Sequence, residues 1–216
     1  MSGNPVHPVN RVFVIGVGPG TADYLTPVAR ACIEGCDLLL GSPRLTRLFP
    51  QESRPLDFRG DPPASVKYIL ENRGRLKIGV LVSGDPGLYS FLGVLSRYLP
   101  PEDYEVIPGI SSVQLAFARL KESWADALIL SLHGRQETDL ARKVAAHPKV
   151  AILTDSSHPP QAIARALLAH GLKGREFIIC QDLSYPEERI VRTTLEEAAQ
   201  LPLSGSLLVI IQEKAP

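Results

Sequence analysis

The chain has 216 residues, 23 Lys+Arg against 23 Asp+Glu, and 44% hydrophobic and 21% charged residues. That is a globular mixture, long enough for one large or two small domains with a sizeable core, and not the composition of a disordered chain. A formal net charge of zero speaks against a general nucleic-acid coat, which needs surplus cations to displace phosphate counterions, and leaves a local basic patch open.

The 19 prolines, roughly 9% of residues against a background of about 5%, predict stiff loops and abrupt element ends. The first ten residues are polar, carry Pro5 and Pro8, and lack the apolar stretch of a secretory signal. No apolar run reaches the roughly 18 residues of a membrane span. The expectation is a soluble, cytoplasmic protein without a membrane partner.

In chain order, residues 12–15 are β-branched, precede Gly16 and read as a buried strand. Residues 21–36 have helical spacing, with Pro27 in the early turns. Residues 38–40 read as strand, 66–70 as part of a helix, 78–82 as strand, 88–98 as helix, 104–107 as strand and 111–120 as helix. A second series follows: strand 127–130, helix 138–146, strand 150–153, and helix 160–169 ended by Gly171. Strands 177–180, 189–192 and 207–211 come last, with a short helix at 195–200 between the final two. Alternation of strand and helix predicts an α/β fold in two lobes, 11–120 and 121–216, with the boundary in the polar segment 121–126.

The cysteines Cys32, Cys36 and Cys180 form no CxxC pair and read as small buried hydrophobes. The five histidines show no HxxxH or HExxH spacing, so no metal site is expected.

Four Gly/Ser loops follow predicted strands. The first, GVGPGTAD at 16–23, invites a dinucleotide reading, but Thr21 stands where the third glycine should be and Pro19 removes a backbone donor. The acidic residue expected about 20 positions on is also missing, since Asp37 precedes the second strand. Taken alone, the glycines serve a tight turn as well as a ligand. The second loop, SGDPGLYS at 83–90, follows the third strand, where α/β sheets place ligands, and its Asp85 is also a plausible helix N-cap. The third, PGISS at 108–112, leaves room for a ligand, with Ser111 or Ser112 a simple N-cap as the alternative. The fourth, SLHGR at 131–135, carries His133, a residue type that can switch protonation near neutral pH, and Arg135, which can clamp a carboxylate, with a surface histidine and a solvated arginine as the alternative. Four such loops at strand C-terminal ends predict one shared crevice.

GVGPGTADYLT, SGDPGLYS, PGISS and SLHGR, in this order, resemble the tetrapyrrole (corrin/porphyrin) methylases over about residues 11–211. SLHGR, with LTD at 153–155, resembles the subgroup that methylates C5 of precorrin-6Y or cobalt-precorrin-7 in cobalamin biosynthesis. The resemblance implies two α/β lobes of non-Rossmann type, a homodimer, and S-adenosylmethionine bound in the cleft between lobes. By motif position it implies cofactor contacts at Pro19, Ser83, Gly84, Asp85, Leu88, Ser111 and Ser112. In the second lobe it implies contacts at Leu153, Thr154 and Thr193, the last at a position where relatives often carry glycine. In some organisms a C15-methylating, decarboxylating domain is fused to the C5 enzyme; the expectation here is a separate protein for that step.

Methyl transfer from a sulfonium is an in-line displacement, so correct placement can supply roughly 7–11 kcal/mol of the barrier. A proton must then leave C5. His133, Asp85 or ordered water can take it, and Asp85 can instead position the cofactor. The resemblance implies that Gly18 and Pro19 lie toward the substrate, and Arg44 and Arg135 are candidates for its carboxylates, with a solvated surface role as the alternative. Competing readings are methylation at another ring position, a ribosomal-RNA ribose methylase, a protein methylase of diphthamide synthesis, a nucleotide-binding oxidoreductase, or a silent interaction module. Neutral charge disfavours the RNA reading.

Overall fold

The computed structural model of the protein describes residues 12–49, 54–57 (backbone), 62–132, 139–201 and 207–213. The chain divides into two compact units, Met1–Ser111 and Ser112–Pro216.

The first unit is a five-stranded parallel sheet in the order β3-β2-β4-β1-β5. Its strands are β1 (Val12–Gly16), β2 (Leu38–Gly41), β3 (Arg54–Asp57), β4 (Ile78–Val82) and β5 (Tyr104–Ile107). The helices are α1 (Pro27–Glu34), α2 (Pro43–Thr46), α3 (Pro62–Asn72) and α4 (Leu92–Leu95). Strands β2 and β4 are buried at every position, as parallel strands covered on both faces must be.

The path explains the two faces. From β1 the chain moves one way across the sheet, to β2 and then β3; from β3 it turns back to β4 and then β5. Right-handed crossovers put helices on opposite faces for opposite directions of travel. Accordingly, Ala29 and Ile33 of α1 and Leu45 of α2 pack with Ile15, Leu39 and Leu81. Val66 and Ile69 of α3 and Leu95 of α4 pack with Val14, Leu40 and Val80 on the other face. The reversal falls between β1 and β4, which are neighbours, and the helices that follow them, α1 and α4, cover opposite faces.

Two predicted helices are shorter than expected. Residues 22–24 form only a single 3-10 turn, and α1 starts at Pro27, with Thr26 Oγ1 accepting from the Ala29 N–H at 3.2 Å. A residue before proline avoids the helical region, so Thr26 is a cap and Pro27 the first helical position. Of the helix expected at 88–98, only Leu92–Leu95 is α-helical. Tyr89 has φ 50, a left-handed conformation no helix can contain. Strand β3 and the one-turn α2 are unexpected; β3 is a short polar edge strand with Pro55, a residue confined to such edges.

The second unit holds a mixed sheet in the order β6-β7-β10-β8-β9. Its strands are β6 (Leu128–Ser131), β7 (Lys149–Leu153), β8 (Arg175–Gln181), β9 (Arg189–Thr194) and β10 (Leu207–Glu213). Only β6 and β7 run parallel to each other; β10 is antiparallel to β7 and β8, and β8 to β9. The helices are α5 (Ser112–Leu120), α6 (Leu140–Ala146), α7 (Pro160–Ala169) and α8 (Leu195–Ala198).

One sheet face, with Val150, Ile152, Phe177, Val209 and Ile211, packs against Val144 of α6, Ile163 and Leu167 of α7, and Leu195 of α8. Helix α5 packs on β10, with Val113, Ala116 and Phe117 fully buried, and so groups with this unit rather than with the first. Helix α7 ends as predicted. Gly171 has φ +77, its N–H donates to Leu168 O at 2.9 Å, and the Leu172 N–H donates to Leu167 O at 3.1 Å, a Schellman closure. Among the described residues, no helix is long and apolar enough to cross a membrane.

Candidate active site

Three of the four predicted loops leave the C-terminal ends of adjacent strands β4, β1 and β5, at the reversal point where an open α/β sheet forms its ligand crevice. They are bonded to one another. The Val17 N–H donates to Val82 O at 3.0 Å, Gly84 N–H to Gly18 O at 2.8 Å, and Gly18 N–H to Gly84 O at 3.4 Å. Gly18 and Gly84 both hold positive φ, +83 and +71.

The close approach predicted from the glycines is therefore in part loop against loop. A Cβ on Gly16 would lie 2.6 Å from Gly109 N and 2.7 Å from Gly84 O, so these three backbones touch. The motif glycines are needed first to let the loops meet.

Asp85 completes this lattice. Its Oδ1 accepts from the Gly87 N–H at 2.8 Å and its Oδ2 from the Gly109 N–H at 3.1 Å. The N-cap alternative fails, because residues 86–89 form turns and no helix starts there. The carboxylate instead closes its own turn, an aspartate bonding the backbone two residues on, and clips the β4 loop to the β5 loop. A D-x-G pattern was the available signal for the first bond; nothing in the sequence signalled the second.

Around this frame, Pro19 and Ser111 are buried, Leu88 and Ser112 are half-buried, and Ser83 is exposed. Arg44, on α2 after β2, donates from Nη2 to Ser83 Oγ at 3.1 Å. The structure thus brings together Gly18, Pro19, Arg44, Ser83, Gly84, Asp85 and Leu88, with Ser111 closing the β5 loop. The pairing of Arg44 with Ser83 was not foreseen.

The arrangement discriminates between ligands. A pyrophosphate is held by free backbone N–H groups. Here the N–H groups of Gly18, Gly84 and Gly109 are all donated within the lattice, and Pro19 has none. These three amides are therefore not available to a pyrophosphate.

In the second unit, Leu153 and Thr154 lie where β7 ends, beside the end of β6. The Leu132 N–H donates to Leu153 O at 2.9 Å, and Thr154 Oγ1 donates to Leu207 O at 2.7 Å. Thr193 is on β9, opposite Phe177 and three strands away from β7, about 14 Å at usual strand spacing. Its hydroxyl donates to Glu197 Oε2 at 2.6 Å, beside the Thr194–Glu197 capping box of α8. The structure does not bring Thr193 to Leu153 and Thr154. His133 and Arg135 lie outside the described residues.

The charged groups of this unit tie α5 and the residues after it to the sheet. Arg119 Nε donates to Glu188 Oε1 at 2.6 Å, and the Ser184 N–H donates to Glu188 Oε2 at 2.7 Å. Burial raises the Glu188 carboxyl, but the Arg119 and Ser184 bonds outweigh it and hold it below the usual carboxylate range. Arg192 bonds Glu176 and Glu122, which raise its already high value further.

The sequence profile described as Tetrapyrrole (Corrin/Porphyrin) Methylases matches residues 11–199. A protein of Methanocaldococcus jannaschii named probable cobalt-precorrin-7 C(5)-methyltransferase is 33% identical over 198 residues, 87% of this chain and 91% of that protein. The cobalt-precorrin-7 C(5)-methyltransferase of Salmonella typhimurium is 34% identical over 178 residues, 82% of this chain and 87% of that protein. A crystal structure of uroporphyrin-III C-methyl transferase from Thermus thermophilus, complexed with S-adenyl homocysteine, has the same fold. Its TM-score is 0.78 at 22% identity, covering 94% of this chain and 97% of that one. A profile match over most of the chain, and two relatives above 30% identity aligned through both units, lead to one conclusion: the chain belongs to the tetrapyrrole (corrin/porphyrin) methylases and is a methyltransferase.

Proposed function

We propose that the protein transfers the methyl group of S-adenosylmethionine to C5 of a corrin precursor, cobalt-precorrin-7 or precorrin-6Y. The ring position and substrate class come from the names of the two relatives aligned over more than four-fifths of the chain. The observation that supports the cofactor is the internal use of the Gly18, Gly84 and Gly109 amides, which leaves them unavailable to a pyrophosphate and suits a phosphate-free sulfonium nucleoside. The homodimer belongs to this reading on family membership.

S-adenosylmethionine, when bound, supplies an electrophilic methyl group. The chain's task is placement. Pro19, Ser83, Gly84, Leu88, Ser111 and Ser112 are assigned as cofactor contacts, and Leu153, Thr154 and Thr193 are further candidates. The tetrapyrrole's conjugation makes a meso carbon electron-rich, so no strong protein nucleophile is required, and holding methyl and carbon at attack distance does most of the work. Arg44 faces the rim beside Ser83 and is assigned, with Arg135, to the substrate's carboxylates. Asp85 is assigned the positioning role, because its carboxylate oxygens both accept backbone N–H groups. His133 is the assigned proton acceptor at C5.

The test of the cofactor assignment is calorimetric titration with S-adenosylhomocysteine and, separately, NAD. Binding of S-adenosylhomocysteine with no heat from NAD is expected. NAD binding without S-adenosylhomocysteine binding would transfer the protein to the oxidoreductase class.

A further inference from the structure

Helix α1 ends in a pair of thiols that the methyl-transfer reading does not use. Cys32 lies in its last turns and Cys36 just beyond its cap, Gly35. Cys36 turns back over the helix end, and its Sγ donates to Cys32 O at 3.1 Å. Cys36 is 6% exposed and packs on β4, where a Cβ on Gly79 would sit 2.9 Å from its sulfur. Cys32 is only half-buried and is reached from solvent.

A cation stands at the same place. Lys77, the residue before β4, holds its ammonium where a Cβ on Gly35 would be 3.0 Å away, over the last turn of α1. It is also 5.0 Å from the Phe13 ring centroid, and the Lys77 backbone N–H is fixed by Asp37 Oδ2 at 2.8 Å. The charged groups acting on the pair are Lys77, Glu105 of β5 and Asp37.

We infer that Cys32 and Cys36 are a redox-active dithiol that closes to an intramolecular disulfide when the protein meets a peroxide. Cys32 is the attacking sulfur and Cys36 the resolving one. The neighbouring Cys36 side chain and the Lys77 charge lower the Cys32 thiol against the opposing effect of burial, whereas Cys36 is held strongly up. In a regular helix, residues four apart have Cβ atoms about 5–6 Å apart, beyond the roughly 3.5–4.5 Å of a disulfide. Cys36 lies outside the helix, so only the turn through Gly35 must tighten. A bridge across so short a stretch constrains the unfolded chain least, and the tightening it requires makes it easily reduced. The pair is a reversible couple, not a structural staple.

The step balances with hydrogen peroxide as oxidant. The Cys32 thiolate attacks one peroxide oxygen, the O–O bond breaks, and the departing hydroxide takes the former Cys32 proton to become water. The resulting Cys32 sulfenic acid is attacked by the Cys36 sulfur. The S–O bond breaks as the S–S bond forms, and the oxygen leaves with the Cys36 proton as a second water. Two thiols have lost two electrons to one peroxide.

Trypsin should release both cysteines on one peptide, residues 31–44, because no Lys or Arg lies between Arg30 and Arg44. The full chain is treated with hydrogen peroxide, unfolded, alkylated and digested. The expected peptide is lighter than its reduced, unalkylated form by about 2 Da, carries no alkyl group, and regains both alkylation sites after dithiothreitol. Cys180, buried with its thiol pushed up to about 12, should remain an alkylatable thiol in the same sample. Cys36→Ser should leave Cys32 as a sulfenic acid trapped by dimedone, and Cys32→Ser should leave Cys36 reduced. A 31–44 peptide in which Cys36 is still alkylated after Cys32 has been oxidised, or in which neither thiol reacts before Cys180, would overturn the inference.

Discussion

Asp85 and Gly109, 24 positions apart in the chain, are joined by one hydrogen bond, the Gly109 N–H donating to Asp85 Oδ2 at 3.1 Å. With the Gly87 bond to Oδ1, this makes a single carboxylate the clip between two loops of the candidate pocket. Asp85→Ala is expected to lower S-adenosylhomocysteine affinity tenfold or more and to cost about 1–3 kcal/mol in stability, since two backbone donors lose their acceptor. Asp85→Asn, which keeps one acceptor oxygen, should fall between, with the pH profile of turnover unchanged. Calorimetry, denaturant unfolding and the pH profile read these outcomes; wild-type affinity in Asp85→Ala would show that the clip is not needed.

Gly16 tests the contact among the loops. Alanine there would put a methyl 2.6 Å from Gly109 N and 2.7 Å from Gly84 O, against backbone that cannot yield. Gly16→Ala is expected to cost about 2–3 kcal/mol and to abolish cofactor binding. Gly74, where an added methyl would meet nothing within 4 Å, is the control, and Gly74→Ala should be near neutral. Urea unfolding of the two variants side by side measures the difference.

The Arg119–Glu188 pair predicts a pH dependence with a definite sign. Because the folded state holds Glu188 below its ordinary value, its contribution is complete above the unfolded carboxyl's pKa and is lost as pH falls through the folded one. Wild-type unfolding midpoints should therefore drop on acidification below about pH 5, and Glu188→Gln should remove part of that slope. At pH 7 the variant should be less stable by about 1 kcal/mol or less, the scale of an ion pair whose arginine is 38% exposed. Parallel pH slopes for the two proteins would contradict the assignment.

Arg44 tests the electrostatic part of substrate recognition. Removing its guanidinium should weaken binding of the polycarboxylate substrate about tenfold, flatten the salt dependence of that binding, and leave S-adenosylhomocysteine affinity within about twofold. Equal salt slopes for Arg44→Ala and wild type would return Arg44 to an ordinary surface role.

These residues also show what could be read from the chain. Strands such as β4 and β5 and helix α7 were legible because local patterning and packing agree: a wholly apolar run, a strand stopped by Pro108-Gly109, a helix closed by Gly171. The start of α1 was missed because apolar spacing extends back past Thr26-Pro27, while the backbone obeys the proline. Helix α4 was overextended because Tyr89 adopts a left-handed conformation that no residue type announces. The three loops of the first unit were found from their glycines, but the glycines' first partners are one another, a consequence of strand order β4-β1-β5. The fourth loop's His133 and Arg135 lie outside the described residues, and Thr193 is explained locally by its bond to Glu197.

The most direct measurement of the central claim is transfer of a carbon-13 methyl group. The protein is incubated with methyl-labelled S-adenosylmethionine and cobalt-precorrin-7, and the product carbon that bears the label is mapped by NMR. Label at C5 is the predicted result. Label at another ring carbon, or a substrate returned unlabelled by protein that binds S-adenosylhomocysteine, would contradict it.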